Sequence, residues 1–151
     1  MGKKQIAEIQ KDYDAIIVAV GTPHGKEITW VPKWNYDAVY TAIQFMDFVN
    51  NDQNTYRMPH QNFVVKGAEG IVIRGGSVAM DTARAVLRLG AKKVTVVCLE
   101  EGEYVPAHQW EKDEAMEEGV IFMEGYSPKT YTGRVNTLEG IDFMKVKDFD
   151  L

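Results

Sequence analysis

Ile71-Val72-Ile73-Arg74-Gly75-Gly76-Ser77-Val78-Ala79-Met80-Asp81 is the stretch on which the reading of this chain turns. A short apolar run beginning at Gly70 stops at two glycines. From Ser77 to Leu89 a helix is expected, with Met80, Ala83 and Leu87 on one face and Gly90 just past its end, where a helix C-cap favours glycine. A strand that turns sharply into a helix aims the helix's free N–H groups and positive dipole end at whatever lies over the turn, which suits a pyrophosphate. The fingerprint for such a site is G-x-G-x-x-G/A, with one glycine for the tight turn, one for phosphate approach and one small residue for helix–strand packing. Gly76 fills the second place and Ala79 the third, while Arg74 stands in the first. Arg74 reads in two ways, as a charge-assisted contact to a phosphate or as an obstruction of the turn. By pattern alone, Gly75-Gly76 is equally an ordinary tight turn.

Outward from the turn toward the C-terminus, residues 93–99 form a second apolar strand. A second helix is expected over 108–118, ending at Gly119, and a third strand over 120–123. Strand, helix, strand, helix, strand is one half of a doubly wound α/β fold, and the right-handed crossover rule makes its three strands parallel. The expected fold is therefore a Rossmann-like parallel sheet. Residues 134–147 alternate, with Ile141, Phe143 and Lys145 on one side, and predict a small antiparallel appendage.

Toward the N-terminus the pattern is looser. Residues 5–12 suit a short amphipathic helix. The continuous apolar run 15–20 reads as a strand buried on both faces. Two prolines and two glycines make 21–34 a connector. A helix is expected from Asn35, because Val39, Ile43, Met46 and Val49 recur at helical steps. Residues 50–67 are polar and irregular and read as a linker. The chain then divides into 1–66 and 67–151, the second part being the Rossmann-like unit.

Bulk properties bound the function. The 151 residues, 45% hydrophobic and 26% charged, are those of an ordinary globular domain. A formal charge of −5 argues against nucleic acid or an anionic membrane as partner, since both need a basic surface. No apolar run reaches bilayer-spanning length, and Met1-Gly2-Lys3-Lys4-Gln5 is not followed by the apolar core of a signal peptide. The lone Cys98 permits no internal disulfide and no cysteine-ligated cluster, and it fits a reducing, cytoplasmic setting.

With these residues in place, a resemblance emerges. Gly75-Gly76-Ser77-Val78-Ala79-Met80-Asp81, Ala83-Arg84 and the run from Leu87 to Thr95 (L-R-L-G-A-K-K-V-T) are similar to the second dinucleotide motif of the glutamate synthase small (beta) subunit family. Dihydropyrimidine dehydrogenase and electron-bifurcating NADH-dependent ferredoxin:NADP oxidoreductases share that motif, which usually reads G-G-G-N-V-A-M-D. Pro106-Ala107-His108 and Glu117-Glu118-Gly119-Val120 continue the match. Upstream, the run from Tyr13 to Thr22 resembles the family's Y-D-A-V-x-x-A-x-G strand, and Val39-Tyr40-Thr41-Ala42 its G-V-Y-T-A segment. The resemblance covers roughly residues 5–147 in the right order.

It implies a fragment of an NAD(P)H-dependent flavoprotein. In that family this domain holds NAD(P)H so that its nicotinamide passes a hydride to FAD in a second domain, and the electrons leave through iron–sulfur clusters. Residues 1–66 would then be the edge of the FAD domain and its connector. Gly75, Gly76 and Ser77 would meet the pyrophosphate, Ala79 would allow close packing, Arg74 and Val78 would count with them among the cofactor-binding residues, and Met80 and Asp81 would serve packing and the helix dipole. FAD is expected in the parent protein only, with the FAD domain and an iron–sulfur subunit or domain as partners. Alone, the chain is expected to catalyse nothing. Stripped of its neighbours, the run 15–20 is expected to pair within the chain or with a second copy. The rival from another class is a Rossmann-like domain that has lost nucleotide binding and serves docking or assembly. A methyltransferase with a similar glycine turn fits the fold pattern but leaves the upstream segments unexplained.

The choice of nucleotide is read at the end of the second strand. There an acid can accept from a ribose 2′-OH, whereas arginine favours a 2′-phosphate. NADPH-using members of the family typically carry Arg-Arg at this point; here the places hold Leu99 and Glu100, followed by Glu101. Glu100 lies 24 positions after Gly76, near the ~20 expected of the ribose-binding acid. NAD(H) is therefore favoured over NADP(H), although the two glutamates also suit a plain solvated loop. His24, His60 and His108 are too scattered for a metal site, and His108 falls near a helix start. Cys98 reads as a small buried hydrophobe. Asp113, Glu114, Glu117 and Glu118 suggest a wet helix face. Trp30, Trp34 and Tyr36 read as core pieces or, in preference, as surface left bare by a missing domain.

Overall fold

A computed structural model describes residues 6–19, 21, 25, 28, 31, 36–50 and 65–147. The sequence-predicted linker and connector, with Trp30, Trp34, His24 and His60, fall largely or wholly outside them. Helix α1 (Ile6–Ile9) and helix α2 (Ala42–Asn50) precede the alternating unit. That unit is β1 (Glu69–Ile73), α3 (Ser77–Arg88), β2 (Lys93–Cys98), α4 (Gln109–Glu117) and β3 (Ile121–Glu124), with a 3-10 turn at Gly102–Tyr104 before α4. The strands lie in the order β1-β2-β3, all parallel, with Val72 beside Val96 and Val96 beside Phe122. A two-stranded antiparallel ribbon, β4 (Tyr126–Arg134) and β5 (Thr137–Lys145), follows. This is the α/β architecture expected, a Rossmann-like parallel sheet with an antiparallel appendage.

β2 carries the core. As the central strand it is flanked on both sides, and Val94, Val96, Val97 and Cys98 are all essentially buried. On the helix side, Val94 and Val96 meet Met80 and Ala83 of α3, Ala115 of α4 and Val120. Full burial of a side chain the size of Met80 stabilises by about 1.5–3 kcal/mol before entropy is charged against it. On the other side of the sheet, Ile73 joins a second cluster with Val31, Tyr36 and Tyr131, flanked by Ile28, Val39, Leu138 and Ile141. The row Ile71–Thr95–Ile121 on that side stays open, with Ile71 46% and Ile121 47% exposed.

Several expectations need correction. Residues 15–19 join no strand ladder and lie exposed, Ile17 at 91%, so the doubly buried strand is not formed and it does not pair within the chain among the described residues. An apolar run needs surfaces to bury it; the three parallel strands use one another and one helical layer, and nothing described covers this run. The helix expected over 5–12 is a single turn, Ile6–Ile9. The helix expected from Asn35 starts only at Ala42. Ala38 takes φ +70°, a left-handed geometry that breaks a helix, and Asp37 bridges to Thr137 of the ribbon. Thr41 and Gln44 then form a reciprocal capping box: Thr41 N–H donates to the Gln44 side chain at 2.9 Å and Gln44 N–H to Thr41 Oγ1 at 3.3 Å. Tyr36 is buried against the ribbon rather than bare. The appendage is longer than its alternation suggested, because β4 begins at Tyr126, and Lys145 is exposed instead of sharing the inner side.

Candidate functional site

β1 continues its pairing one residue beyond the strand, where Arg74 N–H donates to the Val97 carbonyl at 2.8 Å. The chain then reverses. Arg74 has φ +97°, the left-handed region that glycine occupies without cost and an L side chain resists. The first place of the fingerprint thus keeps a glycine's backbone geometry while carrying arginine. Gly75 is required for a different reason. A Cβ there would stand 2.9 Å from Val105 Cγ1 and 3.1 Å from Cys98 Cβ, so the turn can sit on the end of β2 only without a side chain. Its carbonyl accepts the Ala107 N–H at 2.9 Å, which ties the loop after β2 to the turn.

Gly76 is the N-cap of α3, in extended geometry and with no side-chain cap. Its carbonyl accepts the Ala79 and Met80 N–H groups. The N–H groups of Gly76, Ser77 and Val78 meet no acceptor among the described residues. Apart from its chain neighbours and the helix backbone, no described atom lies within 4 Å of where a Cβ would stand on Gly76, so Arg74 does not fill that space. Uncapped donors, a helix dipole and open room together can hold an anion. Ala79 is buried against the core and Val78 is 56% exposed.

The Ser77 hydroxyl does not face this opening freely. It donates to Glu111 Oε2 at 2.6 Å, and the same oxygen accepts the His108 N–H at 3.0 Å. The Ser77 hydroxyl, working against partial burial and aided by the His108 N–H, holds the Glu111 carboxyl below the usual carboxylate range. His108 is the N-cap of α4, as its place near a helix start implied, and its ring stacks on Trp110. Glu111 escaped the sequence reading. The signal available for it was the acid three residues after an N-cap, the second half of a capping box.

The other sequence-singled residues lie at the C-terminal end of β2. Leu99 and Glu100 follow the strand directly and are half-buried. The Glu100 carbonyl accepts from Gly125 N–H at 3.4 Å and from the Cys98 thiol at 3.5 Å, so this corner is fixed through its backbone. The Glu101 side chain covers Gly125, whose φ is +75° and whose missing Cβ makes room for it. Glu124, at the end of β3, accepts the Gly102 N–H at 2.8 Å and pairs with Lys112 at 2.5 Å. Burial works to raise the Glu124 pKa, but the Gly102 N–H and the Lys112 ammonium outweigh it, leaving the group below the usual range. Cys98 is buried, and desolvation, reinforced by Glu124 and Glu100, pushes its thiol up to about 11. That is an inert thiol, as its place on an apolar strand implied.

The acidic face of α4 is not simply wet. Arg84 of α3 donates to Glu118 and Glu114, each at 2.7 Å, and Arg88 donates to Glu118 as well. Those two arginines hold the Glu118 carboxyl down to about 2. Asp113 and Glu117 do stay exposed. No group of three or more metal-ligating side chains occurs among the described residues, and none of their helices is long and apolar enough to cross a membrane.

Comparison with known proteins places this geometry. No protein-family model matches the chain. It is 30% identical over 142 residues to the NADP(+)-dependent formate dehydrogenase subunit beta of Moorella thermoacetica, covering 93% of this chain and 19% of that protein. It is 32% identical over 127 residues to the glutamate synthase [NADPH] small chain of Escherichia coli, covering 82% and 26%. The NAD-dependent dihydropyrimidine dehydrogenase subunit PreT of the same organism is 27% identical over 136 residues, covering 90% and 30%. Among solved structures, FprA from Mycobacterium tuberculosis superposes with a TM-score of 0.70 over 93% of this chain and 45% of its own, at 16% identity. The Streptococcus pyogenes thioredoxin reductase matches 54% of this chain and 26% of its own, at a TM-score of 0.50 and 25% identity. The relatives of this chain are thus subunits of NAD- or NADP-dependent oxidoreductases, a glutamate synthase small chain among them, as the glycine-turn motif implied. The chain spans roughly a fifth to a third of the length of these relatives.

Proposed function

We propose that this chain is the nicotinamide-nucleotide-binding domain of a glutamate-synthase-like flavin oxidoreductase. In this reading it positions NAD(P)H for hydride transfer to FAD held elsewhere in the parent protein. The observation that carries the proposal is the N-terminus of α3: it has no side-chain cap, the N–H groups of Gly76, Ser77 and Val78 meet no acceptor among the described residues, and the place of a Gly76 side chain is open. A bound pyrophosphate would take those donors. Arg74 and Gly75 shape the turn beneath it, and Ala79 lets α3 pack close. The nicotinamide supplies the hydride and the flavin receives it, so no side chain of this domain need act as acid or base. Residues 67–151 form the nucleotide domain, and 1–66 belong to the edge of the FAD domain and its connector. The FAD domain and an iron–sulfur subunit or domain are its partners. Where they are missing, the exposed apolar run 15–19 associates with a second copy.

For the nucleotide we propose NADH over NADPH. Leu99 and Glu100 occupy the corner where a 2′-phosphate would need cations, and Glu101 follows directly. The names of the relatives support either cofactor, one being NAD-dependent and two NADP(H)-dependent.

A second reading, a docking module that no longer binds nucleotide, draws on the strained Arg74 and on the engagement of the Ser77 hydroxyl by Glu111. The open space over Gly76 favours the first reading. Isothermal titration calorimetry with NADH and NADPH separates the two. Saturable NADH binding, tighter than NADPH, is expected, and Glu100→Arg should reverse the preference by roughly tenfold or more. A folded chain that gives no heat with either nucleotide would favour the docking module. An unchanged preference in Glu100→Arg would remove Glu100 from the ribose site.

A further inference from the structure

The uncapped donors of α3 do not stand in a neutral setting. One hydrogen bond away is a carboxylate that belongs to the next helix. Glu111 Oε2 is fixed from two directions, by the Ser77 hydroxyl at 2.6 Å and by the His108 N–H at 3.0 Å. Covalent geometry then limits its distance from the Ser77 N–H: the hydroxyl is three bonds from its own backbone nitrogen, so the carboxylate oxygen lies within about 6 Å of it. The segment that carries Glu111 has little freedom to swing away. The Gly75 carbonyl holds the Ala107 N–H at 2.9 Å, and Val105 packs on the place a Gly75 side chain would occupy. The Arg84 and Arg88 pairs with Glu114 and Glu118 hold the far end of α4 against α3.

We infer that Glu111 is an affinity-limiting residue of the dinucleotide site: its fixed carboxylate stands beside the free N–H groups of α3 as an internal anion and weakens the binding of dinucleotide phosphates there. The inference rests on the nucleotide-binding reading and goes beyond it. The same residue positions the site, because its two hydrogen bonds register the start of α3 on the start of α4, and it sets a ceiling on how tightly that site holds an anion. A redox domain that must exchange NAD(P)H for NAD(P)+ at every turnover gains from weak phosphate binding, since tight product would slow release.

Glu111→Gln separates charge from position. The amide oxygen can still accept from Ser77 and His108, so the register of the two helices is kept while the charge is removed. Across about 6–7 Å, one charge changes the affinity for a neighbouring unit anion by between about threefold at the dielectric of water and about seventyfold at that typical of a protein surface. Calorimetric titration of the 151-residue chain with NADH and with inorganic pyrophosphate should therefore show both binding at least about threefold more tightly to Glu111→Gln than to the wild type. A residue that only supports the fold would give the opposite sign. Ser77→Ala, which frees the carboxylate from α3 while keeping the backbone N–H, is the second variant and should give a smaller gain in the same direction. Equal or weaker binding to folded Glu111→Gln, with the wild type binding NADH, overturns the inference and leaves the nucleotide reading intact. Absence of binding in all three proteins overturns both.

Discussion

Arg74 concentrates the tension between this sequence and its motif. The place calls for glycine because the backbone must turn at φ +97°, and the chain adopts that geometry with an arginine. Holding an L residue in the left-handed region costs about 1–2 kcal/mol, part of which glycine would give back by losing more entropy on folding. Arg74→Gly should therefore raise stability to urea by roughly 1 kcal/mol while leaving the fold unchanged. A loss of stability in that variant would mean that the side chain contributes more than its backbone strain costs. The variant also bears on the two readings of Arg74, since an obstructing arginine predicts tighter NADH binding in the glycine form and a phosphate-contacting one predicts weaker binding. Gly75 admits no such exchange, because the atoms that a Cβ would meet belong to β2 and to Val105.

At the scale of elements, the pairing of α3 with α4 is the clearest electrostatic feature. Arg84 and Arg88 reach across to Glu118, whose carboxyl they hold down to about 2. A carboxyl with a depressed native pKa contributes stability that is fully present above its unfolded value of 4.5 and is lost as pH falls toward about 2. The wild type should thus lose stability relative to Glu118→Gln between about pH 5 and pH 2, read from urea midpoints at a series of pH values. Parallel curves for the two proteins over that range would remove Glu118 from the acid response. These elements also show what the sequence could and could not convey. The βαβαβ unit was legible to within a residue or two because Met80, Ala83 and Leu87, the apolar strands and the glycines at 90 and 119 all mark the same boundaries. The start of α2 was not, because the period through Val39 continues past the true boundary, and only the Thr41–Gln44 capping box marks it. The run 15–20 misled for another reason: apolar character predicts burial, but the surface that buries a strand must come from elsewhere in the structure. Glu111 and its link to Ser77 join residues 34 positions apart, and no local pattern encodes such a contact.

The described residues are organised around two cores on opposite sides of one short sheet. α3 and α4 close one side, while the ribbon and the residues around Tyr36 cover part of the other. The open row Ile71–Thr95–Ile121 and the exposed run 15–19 are apolar surfaces of the kind that a larger parent would cover, in keeping with a chain that spans a fifth to a third of its relatives' length. The glycine turn lies at the C-terminal end of β1 and the Leu99–Glu101 corner at the same end of β2, which is where open α/β sheets bind ligands. In the proposed function a dinucleotide lies across these two places. Titration of the 15N-labelled chain with NADH, followed by backbone amide shifts, tests it most directly. Saturable shifts concentrated at Gly76, Ser77 and Val78 and at Leu99 to Glu101 are expected, with the ribbon unaffected. Shifts confined to other surfaces, or none at millimolar NADH in a folded chain, would contradict it.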